Sequence, residues 1–137
     1  VRRLNMARPY LGGSSGGLKT LASSQTLSPA DSGKTFICSQ AGAYDITLPA
    51  VGDAKGWEGK FILGTAGSND FDIIGGTADV MYGVECGDTN VVIDAADKVI
   101  FVGSNAVVGE RADIVCDGTN YYVTMYTVAD NAASSSG

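Results

Sequence analysis

The sequence predicts an all-β fold, a compact antiparallel sandwich or small barrel of about eight short strands, and three observations carry that prediction. Nineteen glycines against three prolines punctuate a chain of 137 residues, and glycine tolerates the positive φ of tight turns at no steric penalty. Turn signals recur too closely for helices: Ser32-Gly33, Ala41-Gly42, Gly52-Asp53, Gly67-Ser68-Asn69, Gly75-Gly76, Gly87-Asp88, Gly103-Ser104-Asn105 and Asp117-Gly118. The pieces between them are rich in β-branched and aromatic residues, which suit a pleated, half-buried surface.

Taken in order, residues 1–25 read as an extended, basic arm rich in Gly and Ser. Gly12-Gly13-Ser14-Ser15-Gly16-Gly17 has nothing to bury and behaves as coil. Residues 26–128 form the β body. Its strands are expected at 35–38, 44–48, 60–63, 71–74, 91–93, 99–102, 114–116 and 121–126. Tyr44, Ile46 and Leu48 alternate with Asp45 and Thr47, so the apolar set faces the core. Val99-Ile100-Phe101-Val102 is continuously apolar, as in a strand covered on both faces. Asp117-Gly118 between two strand-like runs predicts a hairpin, because Asp-Gly supplies the positive φ that primed turns need. Residues 129–137, closing in Ala-Ala-Ser-Ser-Ser-Gly, carry no apolar pattern and read as a flexible tail. No internal repeat is visible.

Hydrophobic residues make up 45% of the chain and charged residues 18%, enough apolar material for one core and too little charge for disorder. The net charge of −6 argues against a nucleic-acid partner, since that affinity rests on basic side chains neutralising phosphates. Charge is segregated: Arg2, Arg3, Arg8 and Lys19 precede the first acidic residue, Asp31, and all fifteen carboxylates fall from Asp31 to Asp130. No run approaches the ~20 apolar residues that span a bilayer, and residues 1–10 lack the apolar stretch of a signal peptide. A soluble protein with no membrane partner, made in a cytoplasm, is expected.

The chain contains no histidine, which removes Ser-His-Asp and Cys-His nucleophile systems and the usual zinc and iron sites. Gly13 to Thr20 superficially resembles a phosphate-binding loop, but Leu18 rather than Gly precedes Lys19 and no apolar strand leads in. Asp70 with Asp72 and Asp94 with Asp97 are the tightest carboxylate groupings. They could hold calcium or act as an acid and base pair, yet they miss the EF-hand pattern and read more simply as turn or edge carboxylates. Cys38, Cys86 and Cys116 are odd in number and widely spaced, so free thiols are expected rather than disulfides or a metal site. Trp57 with Tyr121, Tyr122 and Tyr126 are candidate interface aromatics or a stacking platform for a ligand. Neither catalysis, a cofactor nor a metal is expected.

Thr26-Leu27-Ser28-Pro29-Ala30-Asp31-Ser32-Gly33-Lys34-Thr35-Phe36, followed by Ile46-Thr47-Leu48-Pro49-Ala50, resembles the opening of a group of small β-rich bacteriophage virion proteins. Gly59-Lys60-Phe61-Ile62-Leu63 and Asp117-Gly118-Thr119-Asn120-Tyr121-Tyr122-Val123 are similar to that group's glycine-led strand and closing hairpin. The likeness runs from about Thr26 to Thr124 and leaves both ends uncovered. It implies a non-enzymatic structural protein, a homotrimeric capsid decoration (cement) protein on the outer capsid surface of a virion made in a bacterial cytoplasm. Its partners would be further copies of itself and the major capsid protein. The arm lies outside that likeness, and its segregated basic charge makes Arg2, Arg3, Arg8, Tyr10 and Lys19 the expected capsid-binding residues. A receptor-binding, glycan-binding module of a tail fibre is the alternative that the same resemblance leaves open.

Overall fold

The computed structural model describes residues 17–87 and 90–137. Among them twelve strands form two sheets packed as a sandwich, with two short 3-10 turns at Pro29–Asp31 and Val51–Asp53. The strands are β1 (Leu18–Leu21), β2 (Gln25–Thr26), β3 (Thr35–Ser39), β4 (Tyr44–Thr47), β5 (Glu58–Thr65) and β6 (Phe71–Ile74). They continue as β7 (Met81–Cys86), β8 (Val92–Ala96), β9 (Lys98–Phe101), β10 (Arg111–Cys116), β11 (Tyr121–Tyr126) and β12 (Ala133–Ser136). The all-β sandwich expected from the sequence is therefore present, and each of the eight predicted runs overlaps a strand. Among the described residues no helix is long and apolar enough to cross a membrane.

The sheets are mixed rather than antiparallel. A seven-stranded sheet has the order β1-β3-β5-β10-β11-β7-β8, and a five-stranded sheet the order β12-β9-β6-β4-β2. Half of the ten pairings are parallel: β1 with β3, β3 with β5, β2 with β4, β4 with β6, and β7 with β11. The reason lies in how the chain winds. From β1 to β6 it alternates between the two sheets, so every second strand returns beside its predecessor in the same direction. Structure thus repeats three times where the sequence does not. Leu21, Cys38 and Leu63 stack in one ladder and Ile46 and Ile73 in the facing one, because only the inward position, not the residue type, has to recur.

Both expected chain ends differ from the sequence reading. Leu18–Leu21, placed in the arm, forms a strand whose Leu21 is fully buried against the core. The serine-rich segment expected as a tail supplies β12, antiparallel to β9, with Ala132 and Ala133 buried. Backbone pairing rather than β propensity makes that strand. Its carbonyl at Ser136 accepts the Asp97 amide at 2.8 Å.

The core lies between the sheets. Phe36, Phe61, Ile114, Tyr121 and Val123 enter from one side and Ile46, Leu48, Phe71, Val99 and Phe101 from the other. Tyr44, Ile46 and Leu48 do share the inner face, with Asp45 exposed. Val99 and Phe101 are buried while Ile100 and Val102 are only half-buried, so β9 is fully covered on one face.

The Asp31-Ser32-Gly33-Lys34 segment fastens the first winding to the next. The Asp31 carboxylate accepts the Ser28 amide and the Lys34 ammonium, each at 2.8 Å, with Lys19 Nζ at 3.6 Å. Ser32 Oγ accepts the Glu58 amide, and the Gly33 amide donates to the Glu58 carbonyl. Burial pushes the Asp31 carboxyl up, but hydrogen bonds from Lys34 and Ser28 and the two lysine charges outweigh it and hold the group at about 2. A folded value below the unfolded one stabilises above about pH 4 and stops doing so as pH falls through about 2. Unfolding free energy measured in urea should therefore drop by about 2 kcal/mol over that window through this group, a loss that Asp31→Asn should remove.

Candidate interaction surface

Strict alternation along β10 and β11 divides their side chains between core and solvent. Ala112, Ile114, Cys116, Tyr121, Val123 and Met125 point inward and are buried. Arg111, Asp113, Val115, Tyr122, Thr124 and Tyr126 point outward. The register then builds rows across the outer face of the seven-stranded sheet. Glu58, Val115, Tyr122 and Tyr82 form one, Lys60, Asp113, Thr124 and Val84 the next, and Ile62, Arg111, Tyr126 and Cys86 a third. Val92 extends the middle row onto β8.

This face is open to water although much of it is apolar. Val92 is 70% exposed, and Val84, Val115, Tyr122 and Tyr126 between 41% and 45%. The first two rows enclose a shallow depression of about 560 Å³, whose rim is completed by Gly33, Lys34 and Thr35. Basic Lys34 and Lys60 and acidic Glu58 and Asp113 lie around it. The Arg111 guanidinium carbon sits 4.4 Å from the centre of the Tyr126 ring, a cation–π stack that holds both side chains over the sheet. Arg111 Nε is 3.5 Å from Asp113 Oδ1, a through-space ion pair, and neither atom has a hydrogen-bond partner.

The four aromatics singled out in the sequence divide evenly. Tyr122 and Tyr126 lie together on the exposed face. Trp57 and Tyr121 do not: they are 2% and 0% exposed and belong to the core. Trp57 stacks on Phe36 and Phe61 with ring centroids 6.2 and 6.5 Å away and meets Tyr121 edge-on at 6.2 Å. Its indole N–H donates to the Ser28 carbonyl, and the Tyr121 hydroxyl to the Pro49 carbonyl at 2.6 Å. Burial pushes the Tyr121 phenol up, which keeps it a donor. Lys19 lies on β1 and faces Asp31. Arg2, Arg3, Arg8 and Tyr10 lie outside the described residues.

Three of the four grouped carboxylates have structural partners. Asp70 accepts the Gly103 amide, Asp72 pairs with Lys98, and Asp97 accepts the Asp79 amide. The hydrogen bond to Asp72 pushes the Lys98 ammonium up. Glu110, which drew no notice in the sequence, is buried and accepts the amides of Val107, Val128 and Ala129, tying two loops together. Among the described residues no group of three His, Cys, Asp or Glu could hold a metal ion. The three cysteines are free, Cys38 and Cys116 buried and Cys86 exposed, and burial pushes the first two thiols up.

Sequence reasoning missed Tyr82, Val84, Arg111, Asp113 and Val115 as members of this face. The alternation in Arg111–Cys116 was a usable signal, but the adjacency of β7 to β11 depends on a parallel pairing of strands distant in sequence. Comparison with protein-family models, with characterised proteins and with solved structures finds no match to this chain.

Proposed function

We propose that this chain is a non-enzymatic structural subunit of a bacteriophage particle, a capsid decoration (cement) protein that functions as a homotrimer on the outer capsid surface. The observation that carries the reading is the exposed apolar and aromatic face of the seven-stranded sheet, since contiguous apolar surface on a water-soluble body marks a contact with other macromolecules. The resemblance to virion proteins supplies the setting. Its Asp31-Ser32-Gly33-Lys34 motif has a physical role here, fastening the start of β3 to β5 at the edge of that face. In this reading Arg2, Arg3, Arg8, Tyr10 and Lys19 reach the major capsid protein. Binding that favours the assembled lattice over its dissociated subunits stabilises the particle by mass action.

A glycan-binding module of a tail fibre is the second reading. Tyr82 and Tyr122 beside the depression, with Thr35 and Thr124, favour it, while buried Trp57 takes no part in it. Quantitative mass spectrometry of purified particles separates the two: decoration requires a copy number comparable with that of the major capsid protein. A few copies per particle would remove the decoration role.

A further inference from the structure

We infer that the depression on the outer face of the seven-stranded sheet binds a neutral oligosaccharide, with sugar rings against Tyr82 and Tyr122 and hydroxyls meeting Glu58, Lys60, Asp113 and Thr124. This site belongs to the second of the two readings above, on which the inference rests, and gives it a ligand class. A volume of about 560 Å³ is that of a small-molecule site. Tyr82 and Tyr122 stand in register on β7 and β11, and both line it. A tyrosine ring offers a broad apolar plane with only two torsions to fix. That of Tyr122 is already held, its hydroxyl donating to Asp117 at 3.0 Å. A plane so presented matches the C–H face of a sugar ring. The row from Glu58 through Val115 and Tyr122 to Tyr82 spans three strand spacings, about 14 Å, which is longer than one such ring.

Strands β5, β10, β11 and β7 all lie inside the sheet, so their backbone amides and carbonyls are engaged in its ladders. An extended peptide laid across them would find no main-chain partners and would leave its own amides unpaired. Recognition in the depression is therefore by side chains alone. Their charges favour neither an anion nor a cation. Lys34 is bound to Asp31, Arg111 is paired with Asp113, and Glu58 and Lys60 carry opposite signs. A phosphate group would meet carboxylates beside every ammonium. Among the described residues the side chains of Glu58, Lys60 and Thr124 have no ion-pair or hydrogen-bond partner within the chain, so donors and acceptors stand unspent next to two aromatic planes. An uncharged ligand that carries many hydroxyls, each both donor and acceptor, on a ring with an apolar face satisfies all of these groups together.

Calorimetric titration of the full chain with neutral trisaccharides of glucose, galactose, mannose, rhamnose and N-acetylglucosamine tests this. A subunit packed on the same face would close the depression, so the unassembled protein is titrated. At least one of these sugars should bind with a Kd of about 1 mM or tighter. Tyr122→Ala, which removes a plane, and Val115→Glu, which plants a charge between Glu58 and Tyr122, should each weaken that binding at least about tenfold. Val128→Glu, exposed but outside the face, should bind as the wild type does, and circular dichroism checks that the variants fold. No binding of any of these sugars at about 10 mM, or equal binding by wild type and Tyr122→Ala, overturns the inference. Preference for a sulfated trisaccharide over its neutral parent overturns it too, since the site would then select an anion. Copy number per particle separates the site from its setting. Sugar binding by a protein as abundant as the major capsid protein keeps the site and removes the tail-fibre reading, whereas a few copies per particle without sugar binding keep that location and remove the site.

Discussion

Trp57→Ala should destabilise the protein by about 3–5 kcal/mol, read as a lower midpoint in urea unfolding. The indole fills the space at one end of the core where β3, β5 and β11 meet, stacked on Phe36 and Phe61 and capped edge-on by Tyr121. Removing it leaves a cavity walled by rings, which hold the surrounding backbone apart and cannot collapse inward as a loop would. It also frees the Ser28 carbonyl that its N–H satisfies at 3.2 Å, beside the Asp31 staple. Gly59 is shaped around the same ring, since a Cβ there would come within 2.8 Å of the indole. Trp57→Phe should recover part of the loss, because stacking survives while the hydrogen bond does not. A destabilisation below about 1 kcal/mol for Trp57→Ala would contradict the packing described here.

Gly83→Ala should be at least as damaging, costing about 4 kcal/mol or preventing folding altogether. Gly83 lies in β7 directly opposite Val123 of β11. A Cβ at this position would fall inside van der Waals contact of the Val123 carbonyl oxygen and its neighbouring backbone atoms. Backbone in the middle of a sheet cannot yield as a side-chain tip can. The substitution must therefore push β7 from β11 and, with it, the β7–β8 hairpin that carries Tyr82, Val84 and Val92. Gly52→Ala, where added atoms meet nothing within 4 Å, is the matched control and should stay close to the wild type. Comparable stability of the two variants in thermal unfolding would show that the parallel β7–β11 ladder is not as tight as described.

What the sequence made legible was local. Alternation in Tyr44–Thr47 assigned inner and outer faces correctly, and Asp117-Gly118 marked the β10–β11 turn, where Gly118 has φ of 96°. The Asp117 side chain holds that turn by accepting the Thr119 and Asn120 amides, each at 2.8 Å. Those backbone hydrogen bonds, first that of Asn120, hold its carboxyl below the usual range.

Strand β7 escaped because Gly83 and Glu85 interrupt its apolar run. Yet Glu85 is buried, bonded to Thr127 Oγ1 and to the Val91 amide, and a partner more than 40 residues away in sequence leaves no periodic trace. Strand β12 escaped because Ser134, Ser135 and Ser136 have no apolar face, only a ladder with β9. The parallel windings escaped for the same reason, being set by which strands return side by side. For the aromatics, spacing showed that Tyr122 and Tyr126 share a face. That Tyr121 rather than Tyr122 turns inward follows from the β10 register and from the Pro49 carbonyl waiting for its hydroxyl.

Hydroxyl-radical footprinting of the native assembly most directly tests whether the outer face of the seven-stranded sheet is where this protein makes its contacts. Tyr122 and Tyr126, 44% and 41% exposed in the isolated chain, should be protected when the protein is assembled and should become reactive in the Val115→Glu variant. Val128 should react equally in both. Full reactivity of Tyr122 and Tyr126 in the assembled wild-type protein would contradict the account.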